Sequence, residues 1–161
     1  AATITLLFLF NHAINMVLAP KIGRLIAKWG ERRALTFEYA GLFIVFVSYA
    51  FVENDKIAGG LYVIDHLFFA MAIAIKTYFQ KIADPADISS TAGVSFTINH
   101  IAAVFIPAAF GLIWLLSPSA VFLAGAAMAA VSLVLALNVP NDPEPGNEVV
   151  RGYKSAQLHP A

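Results

Sequence analysis

The chain has 161 residues, of which 60% are hydrophobic and 12% charged, about half the charge of an ordinary soluble domain. So much apolar surface cannot be hidden in one core of this size, which argues against a water-soluble globule and for lipid as the solvent. Ten basic and ten acidic residues cancel and offer no bulk charge to a nucleic acid, and the absence of cysteine excludes disulfides, thiolate metal sites and thiol nucleophiles.

In chain order, five stretches reach the roughly 20 apolar residues that a membrane crossing needs. They cover about 2–19, 35–52, 57–79, 92–116 and 119–138. Helix is the reading for each, because lipid leaves backbone polar groups no outside partner, and a barrel strand would alternate with period two. The first is expected to stop at Pro20-Lys21. Ser117-Pro118-Ser119 is the expected tight turn between the last two, with proline tolerated in the first helical turn. Asp87, Ser89 or Ser90 is placed to cap the fourth span. No Asp, Glu, Lys or Arg occurs between Ile88 and Asn141, enough chain for two crossings. The fold class expected is all-α, a polytopic membrane helix bundle over 1–139, followed by a disordered tail over 140–161 that is rich in Pro, Asn and acidic residues. Ala1 lies almost directly inside a span, with no basic n-region or cleavage site, and reads as the start of a piece of a longer chain.

The basic residues set an orientation. Lys21, Arg24, Lys28, Arg32 and Arg33 follow the first span, and Lys76 and Lys81 follow the apolar stretch of the third, which reaches Ile75. By contrast, Glu53-Asn54-Asp55-Lys56 is net acidic and the turn at Ser117 carries no charge. The positive-inside rule then places the first and third loops and the tail in the cytoplasm, for a multi-pass protein of a cell (inner) membrane.

Within the first basic loop the residues become specific. Gly23-Arg24-Leu25-Ile26-Ala27-Lys28-Trp29-Gly30-Glu31-Arg32-Arg33-Ala34-Leu35 resembles the signature loop of the major facilitator superfamily, Gly-x-Leu-x-Asp-Arg-x-Gly-x-Arg/Lys-x-x-Leu. Gly23, Leu25, Lys28, Gly30, Arg32 and Leu35 match in kind and spacing, while Ala27 stands where the family has its aspartate. The second, degenerate copy of this loop in the family joins its eighth and ninth helices. The resemblance therefore implies that the five spans are similar to helices eight to twelve of a twelve-helix transporter, whose N-terminal half is missing here. Gly93, Pro107 and Gly111 of the fourth span and the Gly/Ala-rich fifth look similar to the family's last hairpin.

Polar residues inside spans are costly and are functional candidates. Asn11, His12 and Asn15 lie in the first span, Asp65 and His66 in the third, and Ser95, Asn99 and His100 in the fourth. Asn11 and Asn15, four apart, share a helix face. Asn-His occurs at 11–12 and again at 99–100, each followed by a proline, Pro20 and Pro107; an inverted repeat and coincidence both account for it. Asp65 is the only Asp, Glu, Lys or Arg well inside a span, a candidate proton carrier, cation ligand or partner of a helix elsewhere. The resemblance puts it on a helix that lines the central cavity. Lys76, eleven residues on and about 16 Å along the axis, is expected to snorkel to the interface. His12 and His66 are candidates for proton exchange, a hydrogen bond between helices is the alternative for these two and His100 alike, and His159 in the tail is assigned no role. Glu38 is expected to pair with Arg32 and Arg33, and Trp29, Tyr39 and Tyr62 to anchor the interfaces.

The resulting expectation is part of a secondary active transporter, not an enzyme, with no cofactor, metal or catalytic residue. It moves a small solute by alternating access, with proton coupling through Asp65. Its partners are membrane lipid, the solute, protons and the missing N-terminal half. Asp65, His66, Asn11, His12, Asn15, Asn99 and His100 are the candidate solute or proton ligands. The alternatives are a membrane subunit that binds a metal, haem or pigment through the intramembrane histidines, or a structural subunit of a larger complex.

Overall fold

Residues 2–152 are described in a computed structural model of the chain. They form α1 (Ala2–Trp29), α2 (Glu31–Phe51), α3 (Asp55–Phe69), a 3-10 turn (Ala70–Ala72), α4 (Ile73–Ile82), α5 (Ile88–Leu116) and α6 (Pro118–Leu137). With α3, the 3-10 turn and α4 taken as one rod, five helices are long and apolar enough to cross a membrane. The chain is an all-α, multi-pass bundle.

Several boundaries move. Pro20 does not end α1 but lies inside it, leaving the Met16 carbonyl without its i+4 donor. Residues 23–35 accordingly do not form a loop. Gly23, Arg24 and Lys28 belong to α1, Arg32 and Arg33 to α2, and Gly30 alone separates them. Its φ of 82° and ψ of 157° fall where only glycine sits without strain. The Gly30 N–H donates to the Ile26 carbonyl at 2.9 Å and the Gly30 carbonyl accepts from Ala34 N at 3.2 Å, so one residue turns the chain with few orphaned backbone groups. Gly30→Ala should cost about 1–3 kcal/mol, read as a lower unfolding temperature in detergent; an unchanged midpoint would contradict this account of the turn.

The third rod continues to Ile82, past the expected end at 79, so Lys81 is helical rather than a loop residue. Helix α5 starts at Ile88, earlier than expected, and Asp87 occupies its N-cap position without a side-chain bond. Ser90 Oγ instead donates to the Asp87 carbonyl. The Ser117-Pro118 turn is as expected: Ser117 accepts from Ala120 N and Pro118 opens α6.

Helix α2 is the axis of the bundle. Its buried positions, Glu31, Ala34, Leu35, Glu38, Gly41, Leu42 and Val45, recur every three or four residues, the spacing of one helical face. That face meets α6, the largest interface of the bundle, and also α1, α3 and α4. Buried Ala126, Ala129 and Ala136 line α6, and small residues let two backbones approach closely in lipid. The pair is antiparallel, with Gly30 near the Asn141 carbonyl and Gly125 under the Phe46 ring. A core of Ile26, Ala34, Leu35, Met71, Ala74, Ala136 and Val139 closes one end. Lys81 reaches Glu31 there, with Nζ 2.8 Å from Oε1. The basic turn, the end of α4 and the segment after α6 therefore share one end. At the other, Tyr49 stacks on Phe122 at 5.0 Å and Trp114 meets the same ring edge-on. The outer faces carry large exposed apolar side chains, such as Phe105, Leu115 and Leu116, suited to lipid.

The segment after α6 differs from the disordered tail expected from 140. Val150 N donates to the Asn138 carbonyl, Asn138 Nδ2 to the Arg151 carbonyl, and Arg151 N to Asn138 Oδ1. The Tyr78 hydroxyl donates to the Glu148 carbonyl. Together these close a loop from 138 to 151 against α4. Residues 153–161, with His159, lie outside the described residues.

Candidate functional site

The polar residues of the spans fall into three groups. In the first, α3 carries Tyr62, Asp65 and His66 on adjoining turns. His66 Nδ1 lies 3.0 Å from the Tyr62 carbonyl and 3.6 Å from Asp65 Oδ2, and its ring lies against the Tyr62 ring at 4.2 Å. Phe8 of α1 meets Tyr62 edge-on at 5.8 Å. Tyr49 of α2 lies within electrostatic range of both Tyr62 and Asp65, and its own hydroxyl donates to the Ala58 carbonyl at 3.2 Å. Asp65 Oδ1 and the Tyr62 hydroxyl are buried without a hydrogen-bond partner. A buried polar atom without a partner costs about 1–3 kcal/mol. The 3-10 turn at Ala70–Ala72 follows directly; a tightened turn inside a helix is a natural point of flexure. Tyr62 was expected at an interface and is instead part of this cluster.

The second group is Asn11 with Asn15. Asn11 is only 2% exposed, and Asn15 Nδ2 donates to its carbonyl at 3.1 Å and its Oδ1 at 3.2 Å. The expected shared face is present, and much of its hydrogen-bonding capacity is spent within the pair. His12, next to Asn11, points outward and is exposed.

The third group is on α5. No residue of α5 is buried, and the helix packs mainly against α6. His100 Nδ1 turns back to the Phe96 carbonyl at 2.9 Å, with its ring against Phe96 at 3.9 Å. Ser95 and Asn99, four apart, line a cleft of about 750 Å³ between α4 and α5, together with Lys76 and Gln80. His66 and His100 each turn back to a carbonyl of their own helix, and among the described residues no three His, Cys, Asp or Glu side chains form a group able to hold a metal ion.

Glu38 was missed as a site residue. It is 2% exposed, with Oε2 buried and unpartnered, and it does not pair with Arg32 or Arg33. Among the described residues the carboxylate that meets a lysine or arginine is Glu31, with Lys81, while Asp65 lies 3.6 Å from the His66 imidazole. The signal was present in the spacing: Glu38 lies seven residues after buried Glu31 and on the same face as Ala34, Leu35 and Leu42. Glu31, also unflagged, is buried with its charge met by Lys81. Removing one partner of such a pair strands the other charge and costs more than the pair contributes.

Comparison of the chain with protein families, with curated proteins and with solved structures gave no match in any of the three.

Proposed function

We propose that the chain is part of a secondary active transporter of the facilitator type, which moves a small solute across a membrane by alternating access, with Asp65 carrying the coupled proton. The observation that supports this most is the pair of unpartnered polar atoms, Asp65 Oδ1 and the Tyr62 hydroxyl, inside a bundle whose outer faces are apolar. A structural subunit would gain by replacing such groups with apolar ones, since each buried polar atom without a partner costs about 1–3 kcal/mol. A carboxylate that must take up and release a proton has to remain incompletely satisfied. The similarity of residues 23–35 to the facilitator signature agrees with this reading, and the basic end formed by the Gly30 turn and the end of α4 is assigned to the cytoplasm.

Rocking about a central site needs two bundles, so the remaining helices come from another part of the same transporter. The test is uptake of labelled small solutes into vesicles containing the protein in its native assembly, under an imposed pH gradient. Accumulation that a protonophore collapses is expected. Uptake with the same extent whether or not the gradient is present would remove proton coupling from the proposal.

A further inference from the structure

We infer that the cleft between α4 and α5 is a binding site for a small organic monoanion, a carboxylate with an apolar body, whose charge is met by Lys76. This deepens the transporter reading by naming its solute class, yet it rests on different residues from those assigned to the proton.

Lys76 is the only Lys or Arg between Lys56 and Lys81. It lies six residues before Ile82, about 9 Å along the axis from the end of α4. Among the described residues no carboxylate lies within ion-pair distance of it, and its side chain is exposed on the cleft, open to donating a charge-assisted hydrogen bond to an incoming anion. The other polar lining is neutral: Gln80 stands one turn from Lys76 on α4, and Ser95 and Asn99 one turn apart on α5. Amide and hydroxyl groups supply donors to carboxylate oxygens without adding charge. No Asp or Glu lines the cleft, so a cationic ligand would meet only repulsion from Lys76.

The rest of the wall is apolar, with the Phe79 and Phe96 rings on opposite helices and Ile88 and Ala92 toward the turn. That suits a hydrocarbon or aromatic body, and the volume of about 750 Å³ is within the usual range for small-molecule sites. One cation with three neutral donors matches a single negative charge; a polyphosphate would need several cations. A lipid headgroup offers the same anionic chemistry, so the test must separate it from a free solute.

The probe is benzoate, with benzamide as its uncharged counterpart, titrated calorimetrically against the protein in nanodiscs of phosphatidylcholine alone. Benzoate is expected to bind and benzamide to bind at least about tenfold more weakly, the size of one lost charge-assisted hydrogen bond. Lys76→Gln should weaken benzoate by a similar factor and Lys76→Arg should restore most of it. Lys56→Gln, which removes an exposed positive charge outside the cleft, should leave binding unchanged, and because the titration is run without a pH gradient its failure is distinct from failure of proton coupling. Equal binding of benzoate and benzamide, or full affinity in Lys76→Gln, would overturn the proposal. So would the absence of benzoate binding, with a Lys76-dependent gain in stability only when phosphatidylglycerol is added, since the cleft would then be a lipid headgroup site.

Discussion

Asp65→Asn is expected to abolish gradient-driven accumulation while the protein stays folded. Asparagine nearly matches aspartate in shape but carries no exchangeable carboxyl proton, so a cycle that loads and unloads a proton at this position stops. The substitution also removes a carboxylate whose Oδ1 is buried and unpartnered, an arrangement that costs about 1–3 kcal/mol. The unfolding temperature should therefore be equal or higher, the opposite of what loss of a packing residue produces. Solute exchange with no gradient should persist, because alternation itself does not need the proton. Activity lost together with stability would mean that Asp65 is a structural residue; unchanged pH dependence with full accumulation would exclude it as the carrier.

Gly41→Leu is expected to have the largest effect on folding. Gly41 is buried on the central face of α2, and a Cβ at this position would overlap the ring of Phe68 on α3. The ring also packs against Phe37 at 5.4 Å, so moving it disturbs a second contact. Overpacking of this kind costs about 1–3 kcal/mol or more, and leucine brings three further carbons. Gly41→Ala should be milder. The double variant Gly41→Ala with Phe68→Leu should recover part of the loss, because the two positions share one space and are not additive. Unfolding in detergent followed by circular dichroism reads the series; additive losses would mean that the close approach is not what makes Gly41 necessary.

The long elements were legible because lipid imposes one rule over many residues: each apolar run of adequate length became a helix. Ends were less legible, because they depend on single residues. Pro20 looked like a stop but interrupts only one backbone bond of a long helix, and the real stop is Gly30, whose positive φ does not show in hydropathy. The order of the segment after α6 was hidden for a similar reason. It depends on Asn138 bonding Arg151 and Tyr78 bonding Glu148, contacts between distant positions in a polar stretch.

For the site, Asp65 was legible as a lone charge in an apolar run, and Asn11 with Asn15 from their spacing of four. Glu38 was masked by its basic neighbours in sequence, although periodicity assigns it to the buried face. Tyr62 was masked by its nearness to a span end. Asn99 and His100 could not be ranked from sequence, because their surroundings depend on what α5 faces, and within this chain it packs mainly against α6. Lys76 acquired meaning only when the structure placed it across a cleft from Ser95 and Asn99.

The most direct test of alternating access needs no knowledge of the solute. The chain has no cysteine, so Ser95→Cys, exposed on the cleft wall, supplies a single thiol in this part of the protein. Its rate of reaction with a membrane-impermeant maleimide can be measured from each side of sealed vesicles, with and without a pH gradient. The transporter account predicts labelling from one side at rest and a shift of that labelling toward the other side when the gradient is imposed. A thiol that reacts from neither side, or from one side at a rate that no gradient or solute changes, would contradict it.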